Sequence, residues 1–153
     1  IDSMRVVIQR VTSASVTIDD QLKSSIGLGL LVLLGIETDD TVEDVEWLCG
    51  KISKLRIFSD ENGIMNLSIA DVNGEFLVIS QFTLHASTKK GNRPSFLSAA
   101  RPEQAIPMYE KFLSQLEKES QRKVYSGEFG ADMKVALLND GPVTIWMDSK
   151  SKF

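Results

Sequence analysis

The chain has 153 residues, 42% of them hydrophobic and 25% charged, which is typical of one globular domain with a sizeable core. Its apolar runs are too short to cross a membrane, and a formal net charge of −4 disfavours a protein that holds nucleic acid through many phosphate contacts. The single cysteine and single histidine exclude an internal disulfide and an ordinary structural zinc site. We therefore expect a cytoplasmic protein that has neither DNA nor a membrane as a partner.

The N-terminal part of the chain predicts a β-hairpin followed by a central strand. Residues 5–18 alternate in polarity and are rich in Val, Ile and Thr, and a second β-like piece follows Asp19-Asp20. Residues 28–36 are apolar on both faces, as in a strand that is buried on both sides. Residues 1–3 precede the first methionine and are interpreted as a remnant of an expression vector, so the domain is expected to span residues 4–149.

Two later segments have apolar residues at helical spacing. The first covers residues 42–55, and because Cys49 lies on its apolar stripe we expect this thiol to pack in the core and not to act as a nucleophile. The second covers residues 105–116. Pro102 can open that helix, but Pro107 would then lie inside it at a cost of about 3 kcal/mol. We therefore expect a kink or a true start near Pro107.

The remaining elements are predicted to be strands. Short β pieces at residues 55–58 and 64–67 flank a turn, and a longer β run follows at residues 75–84. Residues 134–148 alternate in polarity on both sides of Asn139-Asp140-Gly141-Pro142, which predicts two strands joined by a turn. Together with the two helices, these strands predict a single α+β domain.

The stretch Ser80-Gln81-Phe82-Thr83-Leu84 places polar groups at the end of an apolar strand. In a regular strand Ser80 and Thr83 would point to opposite faces. Either one hydroxyl alone is used, or the strand bends and presents backbone N–H groups to the developing oxyanion of an acyl-transfer reaction. We favour the bend. The alternative is that these residues only mark the end of a strand.

Conventional catalytic groups are scarce in this sequence. A serine triad needs a histidine, and His85 is the only one, two residues after Thr83 and more typical of a structural role. The sequence has no Gly-x-Ser-x-Gly elbow, no spacing of metal ligands and no glycine-rich phosphate loop. We therefore expect neither a metal nor a cofactor.

Two further segments each have a structural and a functional interpretation. Gly141-Pro142 fits an ordinary hairpin turn, or a rigid turn whose backbone approaches a substrate closely and acts as a steric filter. Lys89, Lys90 and Arg93 fit a solvated loop, or a local contact with RNA. The residues alone leave both alternatives open.

The polar stretches coincide with the hallmarks of a known family. Ser80-Gln81-Phe82-Thr83-Leu84 and Asn139-Asp140-Gly141-Pro142-Val143-Thr144 resemble the SQFTL and NxGPVT motifs of the D-aminoacyl-tRNA deacylases, also called the D-tyrosyl-tRNA deacylase family. Residues 4–11, 90–96 and 127–133 also match. The resemblance therefore covers essentially the whole chain after residue 3.

This resemblance implies a homodimer of β-barrel-like, largely antiparallel domains with two principal helices. It also implies hydrolysis of the ester between a D-amino acid or glycine and the 3′-terminal adenosine of tRNA, so D-aminoacyl-tRNA and glycyl-tRNA are the expected substrates. L-aminoacyl esters are expected to be rejected by Gly141-Pro142, a cis dipeptide that enters the pocket of the partner subunit. The competing hypotheses are a non-catalytic binder of aminoacylated RNA ends, and a hydrolase that uses Thr83 with His85.

The resemblance also implies roles for individual residues. Ser80-Gln81-Phe82 is expected to hold the ester and stabilise the oxyanion. Thr83 is either a nucleophile or, as we favour, an orienting residue. Phe129 and Met133 match positions near the terminal adenosine. The other substrate-binding residues are expected to be Phe96, Asn139, Gly141, Pro142, Val143 and Thr144, with Lys89, Lys90 and Arg93 near RNA phosphates.

Overall fold

The computed structural model of the chain describes residues 3–152, which form eight strands, two α-helices and one 3₁₀ turn. The strands are β1 (Arg5–Ile18), β2 (Gln21–Ile26), β3 (Gly29–Gly35), β4 (Phe58–Ser59), β5 (Met65–Leu67), β6 (Glu75–Ser80), β7 (Val124–Ser126) and β8 (Lys134–Asp148). The helices are α1 (Val42–Lys54) and α2 (Pro102–Ser120), and the 3₁₀ turn is Phe82–His85. Residues 1–3 are interpreted as a vector remnant. Two of them, Ile1 and Asp2, lie outside the described residues.

β1 organises the main sheet, because three other strands pair with it in antiparallel fashion. Residues 14–18 of β1 pair with β2 as the predicted hairpin, residues 5–11 pair with β3, and β8 runs along the opposite edge. β3, β6 and β7 continue the sheet in parallel. The Ser24 hydroxyl on β2 donates a hydrogen bond to the Ser126 carbonyl of β7 at 2.6 Å, so the sheet nearly closes into a barrel. The predicted barrel-like, mostly antiparallel α+β fold with two helices is confirmed.

Two apolar clusters explain why β3 and β6 are hydrophobic on both faces. On one face, residues such as Leu30 and Val78 pack with α1 and α2 in the larger cluster. On the other face, Leu31 and Leu77 fill the interior of the barrel. Cys49 is buried in the larger cluster, as expected, and burial raises the pKa of its thiol. No helix within residues 3–152 is long and apolar enough to cross a membrane.

In the second half of the chain, one sequence prediction and one alternative of another are wrong. Residues 134–148 form the single strand β8 instead of two strands joined by a turn, because both halves pair with the long β1. Of the two alternatives for the second helix, a kink at Pro107 or a start near it, the start is wrong, because α2 begins at Pro102 with Pro107 inside it. The N–H that Pro107 lacks would bond to the Glu103 carbonyl, and both residues are exposed, so water can satisfy that carbonyl.

Candidate active site

Strand β6 ends in a bend that carries the first polar stretch. The Gln81 N–H still donates to the Leu34 carbonyl of β3 at 2.7 Å, and the chain then enters the 3₁₀ turn. The first hydrogen bond of this turn runs from the Leu84 N–H to the Gln81 carbonyl at 3.2 Å. The Phe82 and Thr83 N–H groups precede that bond and have no acceptor within the turn. The predicted bend is confirmed, and it presents two backbone donors at the end of the strand.

The side chains of the 3₁₀ turn contact one another and the loop that follows. Gln81 Nε2 donates to Thr83 Oγ1 at 2.5 Å, so the threonine hydroxyl accepts from an amide. The Phe82 ring is 54% exposed and meets the Phe96 ring edge-on, with the ring centroids 5.0 Å apart. Ser80 is half-buried and Thr83 is exposed. The structure thus brings four of the predicted ester-contacting residues together with Phe96.

His85 closes the 3₁₀ turn inside the protein. Its side chain is 3% exposed. Its ring lies against Gly35 of β3, where an added Cβ would come within 3.0 Å of two ring atoms. A buried ring in close contact with a neighbouring strand is typical of a packing role. The arrangement therefore favours a structural histidine over a catalytic partner of Thr83.

The second polar stretch forms a bulge in β8. The pairing of β1 with β8 leaves Arg10 alone opposite residues 140–143, so the extra residues protrude from the ladder. Gly141 and Pro142 are exposed, and the peptide bond between them is cis. Gly141 has a φ of 140°, a backbone conformation that favours glycine. The bulge therefore presents mostly main chain to the surface.

Asn139 holds the base of the bulge together. The Val143 N–H donates to Asn139 Oδ1 at 2.8 Å, and Asn139 Nδ2 donates to the Val143 carbonyl at 3.3 Å. The same Nδ2 donates to Thr144 Oγ1 at 3.2 Å. The Val143 side chain is buried in the larger core cluster, whereas Thr144 is exposed. One amide and one buried side chain thus fix both ends of the protruding segment.

Arg10 fixes the bulge from the opposite strand, and the sequence reasoning missed it. Its Nε donates to the Asp140 carbonyl at 2.9 Å, its Nη1 donates to the Ile57 carbonyl at 2.6 Å, and the Asp140 carboxylate lies 3.6 Å from Nε. An added Cβ on Gly141 would come within 3.1 Å of Arg10 Nη2. The sequence feature that could have revealed Arg10 is the alternation of β1. Arg10 falls on the buried face of this strand, and a buried charge needs specific partners.

Phe129 and Met133 flank β6 near the end that leads into the 3₁₀ turn. The Phe129 ring lies 6.2 Å from the Tyr109 ring, and the Tyr109 hydroxyl donates to the Val78 carbonyl of β6 at 2.7 Å. Burial raises the pKa of Tyr109 to about 12, so the hydroxyl remains a donor at neutral pH. The Met133 sulfur occupies the space that a Cβ on Gly127 would need. Both predicted adenosine contacts therefore lie beside the strand that carries the ester-contacting residues.

Two predicted parts of the site lie outside the 3₁₀ turn. Lys89, Lys90 and Arg93 lie in an exposed loop, which is closed by two hydrogen bonds between Ser87 and Ser95 of 2.7 and 2.9 Å. The side-chain hydrogen bonds that hold the bulge come from Arg10 and Asn139, and the hydrogen bonds of residues 81–84 run to Leu34, to Arg5 or within the turn. In the same described part of the chain, no group of three His, Cys, Asp or Glu side chains is placed to hold a metal ion.

The sequence has close relatives along almost its whole length. The sequence profile described as D-Tyr-tRNA(Tyr) deacylase matches residues 7–148. The chain is 64% identical over 149 residues to the D-aminoacyl-tRNA deacylase of Flavobacterium johnsoniae, and 62% identical to that of Bacteroides thetaiotaomicron. Each alignment covers 97% of this chain and 99% of the relative.

Solved structures share the fold. The structure titled "c-Myc DNA Unwinding Element Binding Protein" superposes with a TM-score of 0.87 at 45% identity, over 94% of this chain and 97% of that one. The structure titled "Structural Analysis of a probable eukaryotic D-amino acid tRNA deacylase" has a TM-score of 0.83 at 17% identity, over 96% and 100%, which shows the fold alone. On the sequence match, the chain belongs to the D-Tyr-tRNA(Tyr) deacylase family and is a hydrolase of the ester bond of aminoacyl-tRNA.

Proposed function

We propose that the chain hydrolyses the ester between a D-amino acid or glycine and the 3′-terminal adenosine of tRNA, and that it leaves L-aminoacyl-tRNA intact. The observation that carries this proposal is the bulge of β8, an exposed main-chain segment that Arg10 and Asn139 hold in place. Main chain fixed in this way excludes a substrate sterically, since it cannot move aside as a flexible side chain can. The α-hydrogen of a D-amino acid or of glycine passes the bulge, whereas the side chain of an L-amino acid collides with it.

The 3₁₀ turn supplies the groups for ester hydrolysis. An aminoacyl ester is an activated acyl group, so the protein has mainly to position it and stabilise the charge of the tetrahedral intermediate. We assign the Phe82 and Thr83 N–H groups as donors to that oxyanion, and Ser80 and Gln81 as residues that hold the ester. Thr83 has an orienting role in this scheme, because its hydroxyl accepts a hydrogen bond from Gln81. The ribose hydroxyl next to the ester orients the attacking water.

The aromatic and basic groups around the turn suit an unpaired RNA end. Phe96 packs on Phe82, and Phe129 and Met133 lie beside the same strand end, so a terminal adenosine has apolar surfaces to stack on. We assign contacts with the neighbouring RNA phosphates to the loop that carries Lys89, Lys90 and Arg93. Neither a metal nor a cofactor takes part in the proposed reaction, which takes place in the cytoplasm.

We further propose that the bulge acts on the partner subunit of a homodimer. Within one chain the side-chain hydrogen bonds of the bulge come from Arg10 and Asn139 and not from residues 82–84 of the turn. Leu137 and Leu138, which immediately precede the bulge, are 38% and 63% exposed, and a second copy of the chain can cover them. A turn from one subunit and a bulge from the other then form one site.

Hydrolysis of matched D- and L-tyrosyl-tRNA by the purified protein tests the proposed function. We expect loss of the D ester and of glycyl-tRNA, and no loss of the L ester above the rate without protein. The control variant Phe82→Pro lacks one oxyanion donor, and proline is tolerated at the first position of a helical turn, so turnover should fall roughly 10²–10³-fold in a folded protein. Equal rates for both enantiomers would contradict the filter. Binding of D-aminoacyl-tRNA without ester loss would support the non-catalytic binder.

A further inference from the structure

A basic groove lies between α1 and the C-terminal end of β8, outside the proposed ester site. Two adjoining cavities share Trp47, Lys51 and Leu55 as lining residues. Lys54 and Arg56 line one cavity and Lys152 lines the other. We call this surface the α1 groove; its defining residues are Trp47, Lys51, Lys54, Leu55, Arg56 and Lys152.

The α1 groove concentrates positive charge on a chain whose formal net charge is −4. Four of its six defining residues are cationic, and its acidic lining residues are Glu46 and Asp148. Asp148 is buried and already forms an ion pair with Arg5 at 3.2 Å. The groove therefore has an excess of cations that a polyanion can neutralise.

Two of these cations lie close to the Trp47 ring. The Lys152 ammonium lies 4.8 Å from the centre of the Trp47 ring and the Lys51 ammonium lies 6.0 Å from it. Both distances are within about 6 Å, the range in which a cation is attracted to the face of an aromatic ring. Two ammonium groups near one ring place two point charges side by side, which suits phosphate groups.

The α1 groove opens next to the 3₁₀ turn. Asp148 lines the groove, and the Arg5 guanidinium that pairs with it also donates from Nη1 to the Leu84 carbonyl of the turn at 2.9 Å. A single arginine side chain therefore links the wall of the groove to the proposed ester site. The groove and the turn therefore lie at the same end of the sheet, one arginine side chain apart.

We propose that the α1 groove binds the phosphodiester backbone of the RNA whose 3′ end enters the 3₁₀ turn. This inference rests on the proposed function, which makes an aminoacylated RNA the substrate. The positive charge of the groove indicates that the bound groups are phosphates. Because the groove lies next to the turn, we infer that these phosphates belong to the RNA stem that leads to the 3′ end. The groove thus supplies affinity for the RNA that is independent of the amino acid.

Binding of a non-acylated RNA hairpin that carries the tRNA acceptor stem and its CCA end, measured at several KCl concentrations, tests this inference. In the double variant Lys51→Gln/Lys54→Gln the slope of log K against log salt concentration should become shallower by about 2, one for each lost phosphate contact. Affinity at 0.1 M salt should fall roughly tenfold or more. The variant Lys51→Arg/Lys54→Arg keeps both charges and should retain the wild-type slope.

The matched control is Lys23→Gln/Lys111→Gln, which makes the same change of net charge at exposed lysines on β2 and α2. The inference is overturned if the groove and control variants change binding equally, if neither changes it, or if the groove variant changes the oligomeric state. Because the probe carries no ester, the result does not depend on hydrolysis. A wild-type protein that binds the hairpin but leaves D-tyrosyl-tRNA intact contradicts the proposed function alone.

Discussion

At the scale of single residues, Asn139 offers a direct test of the filter. Asn139→Ala leaves the Val143 N–H without its acceptor at 2.8 Å and frees the protruding segment, whereas the core of the protein is unchanged. We expect L-tyrosyl-tRNA hydrolysis to rise relative to D-tyrosyl-tRNA hydrolysis. The free energy of unfolding should fall by about 1–3 kcal/mol, because the variant loses three side-chain hydrogen bonds and leaves one backbone donor unsatisfied. Initial rates with both esters and urea denaturation measure the two effects.

Gln9→Ala is the control for this substitution. Gln9 Nε2 also reaches Thr144 Oγ1, at 3.5 Å, but makes no hydrogen bond to the residues between Asn139 and Thr144. Its loss should leave selectivity between the enantiomers unchanged. A similar loss of selectivity in both variants would mean that the bulge is not the selective element.

The candidate site could be predicted from sequence only where its residues are contiguous. The stretches from Ser80 to Thr83 and from Asn139 to Thr144 were recognisable as motifs, and the bend at the first followed from the positions of its hydroxyl groups. Arg10 was missed because its partner Asp140 is 130 residues away, a separation that no local pattern reveals. The sequence therefore indicates the chemistry of the site better than the contacts that support it.

At the scale of secondary-structure elements, the junction between β3 and α1 should give the protein a characteristic pH dependence. Burial raises the pKa of Asp40 from 3.8 to about 7. The Glu37 N–H, which donates to the Asp40 carboxylate at 2.6 Å, opposes this rise and lowers the pKa. The Asp44 and Glu37 carboxylates raise this pKa further, and the Lys150 ammonium, 4.0 Å away, lowers it. Between these two pKa values the folded protein keeps a proton that the unfolded chain has lost. The raised pKa of Asp40 therefore contributes its full stabilisation of the folded state below pH 4, and this stabilisation is lost as the pH rises through 7.

Asp40→Asn should remove this pH dependence. The amide oxygen of the variant can still accept from the Glu37 N–H, and the side chain no longer carries a charge that burial disfavours. We expect the stability of the variant relative to the wild type to increase from pH 4 to pH 7 and to stay constant above that range. Urea denaturation across this pH range measures the effect, with the exposed neighbour Asp39→Asn as the control. A difference that does not vary with pH would contradict the prediction.

Elements with a strong local pattern were predicted well, and those decided by distant pairing were not. The alternation of residues 5–18 and the helical stripe of residues 42–55 correspond closely to β1 and α1. Residues 134–148 contain both a glycine and a proline, which locally indicate a turn, yet the partner strand β1 continues past them and keeps both halves in one strand. The long-range pairing thus overrides the local signal for a turn.

At the scale of the whole molecule, mixing two variants tests whether the bulge acts across subunits. Asn139→Ala should give chains with an active 3₁₀ turn and a relaxed filter, and Phe82→Pro should give chains with an impaired turn and an intact bulge. In mixed dimers with excess Phe82→Pro chains, each active turn faces an intact bulge. We therefore expect L-tyrosyl-tRNA hydrolysis to fall below that of the Asn139→Ala protein alone.

The measurement is the rate of L-ester hydrolysis per Asn139→Ala chain, after co-refolding at increasing ratios of the two variants. Wild-type chains in place of Phe82→Pro chains serve as the control and should leave this rate unchanged, because each relaxed bulge then faces an active wild-type turn. A rate that does not depend on the ratio would place the bulge and the turn of one site in the same chain.

The order of strands could not be read from local patterns. Alternation and turn residues predicted an α+β domain, and the barrel-like arrangement followed only from resemblance to a family. The parallel pairing of β3 with β6 connects segments about 40 residues apart, and that of β1 with β8 connects the two ends of the chain. Such pairings depend on the packing of the complete core, which a single sequence does not specify locally.

The pairing of β1 with β8 also bears on the order in which the protein is made. Residues 5–17 leave the ribosome well before residues 134–148, with which they pair, so β1 keeps an open edge until β8 has been made. The bulge that we propose as the filter lies on β8. A truncated chain that lacks the filter also lacks the strand that completes the sheet, so we expect it to be degraded unfolded. Under the proposed function, the fold thereby prevents the accumulation of an unselective hydrolase that would consume the L-aminoacyl-tRNA needed for translation.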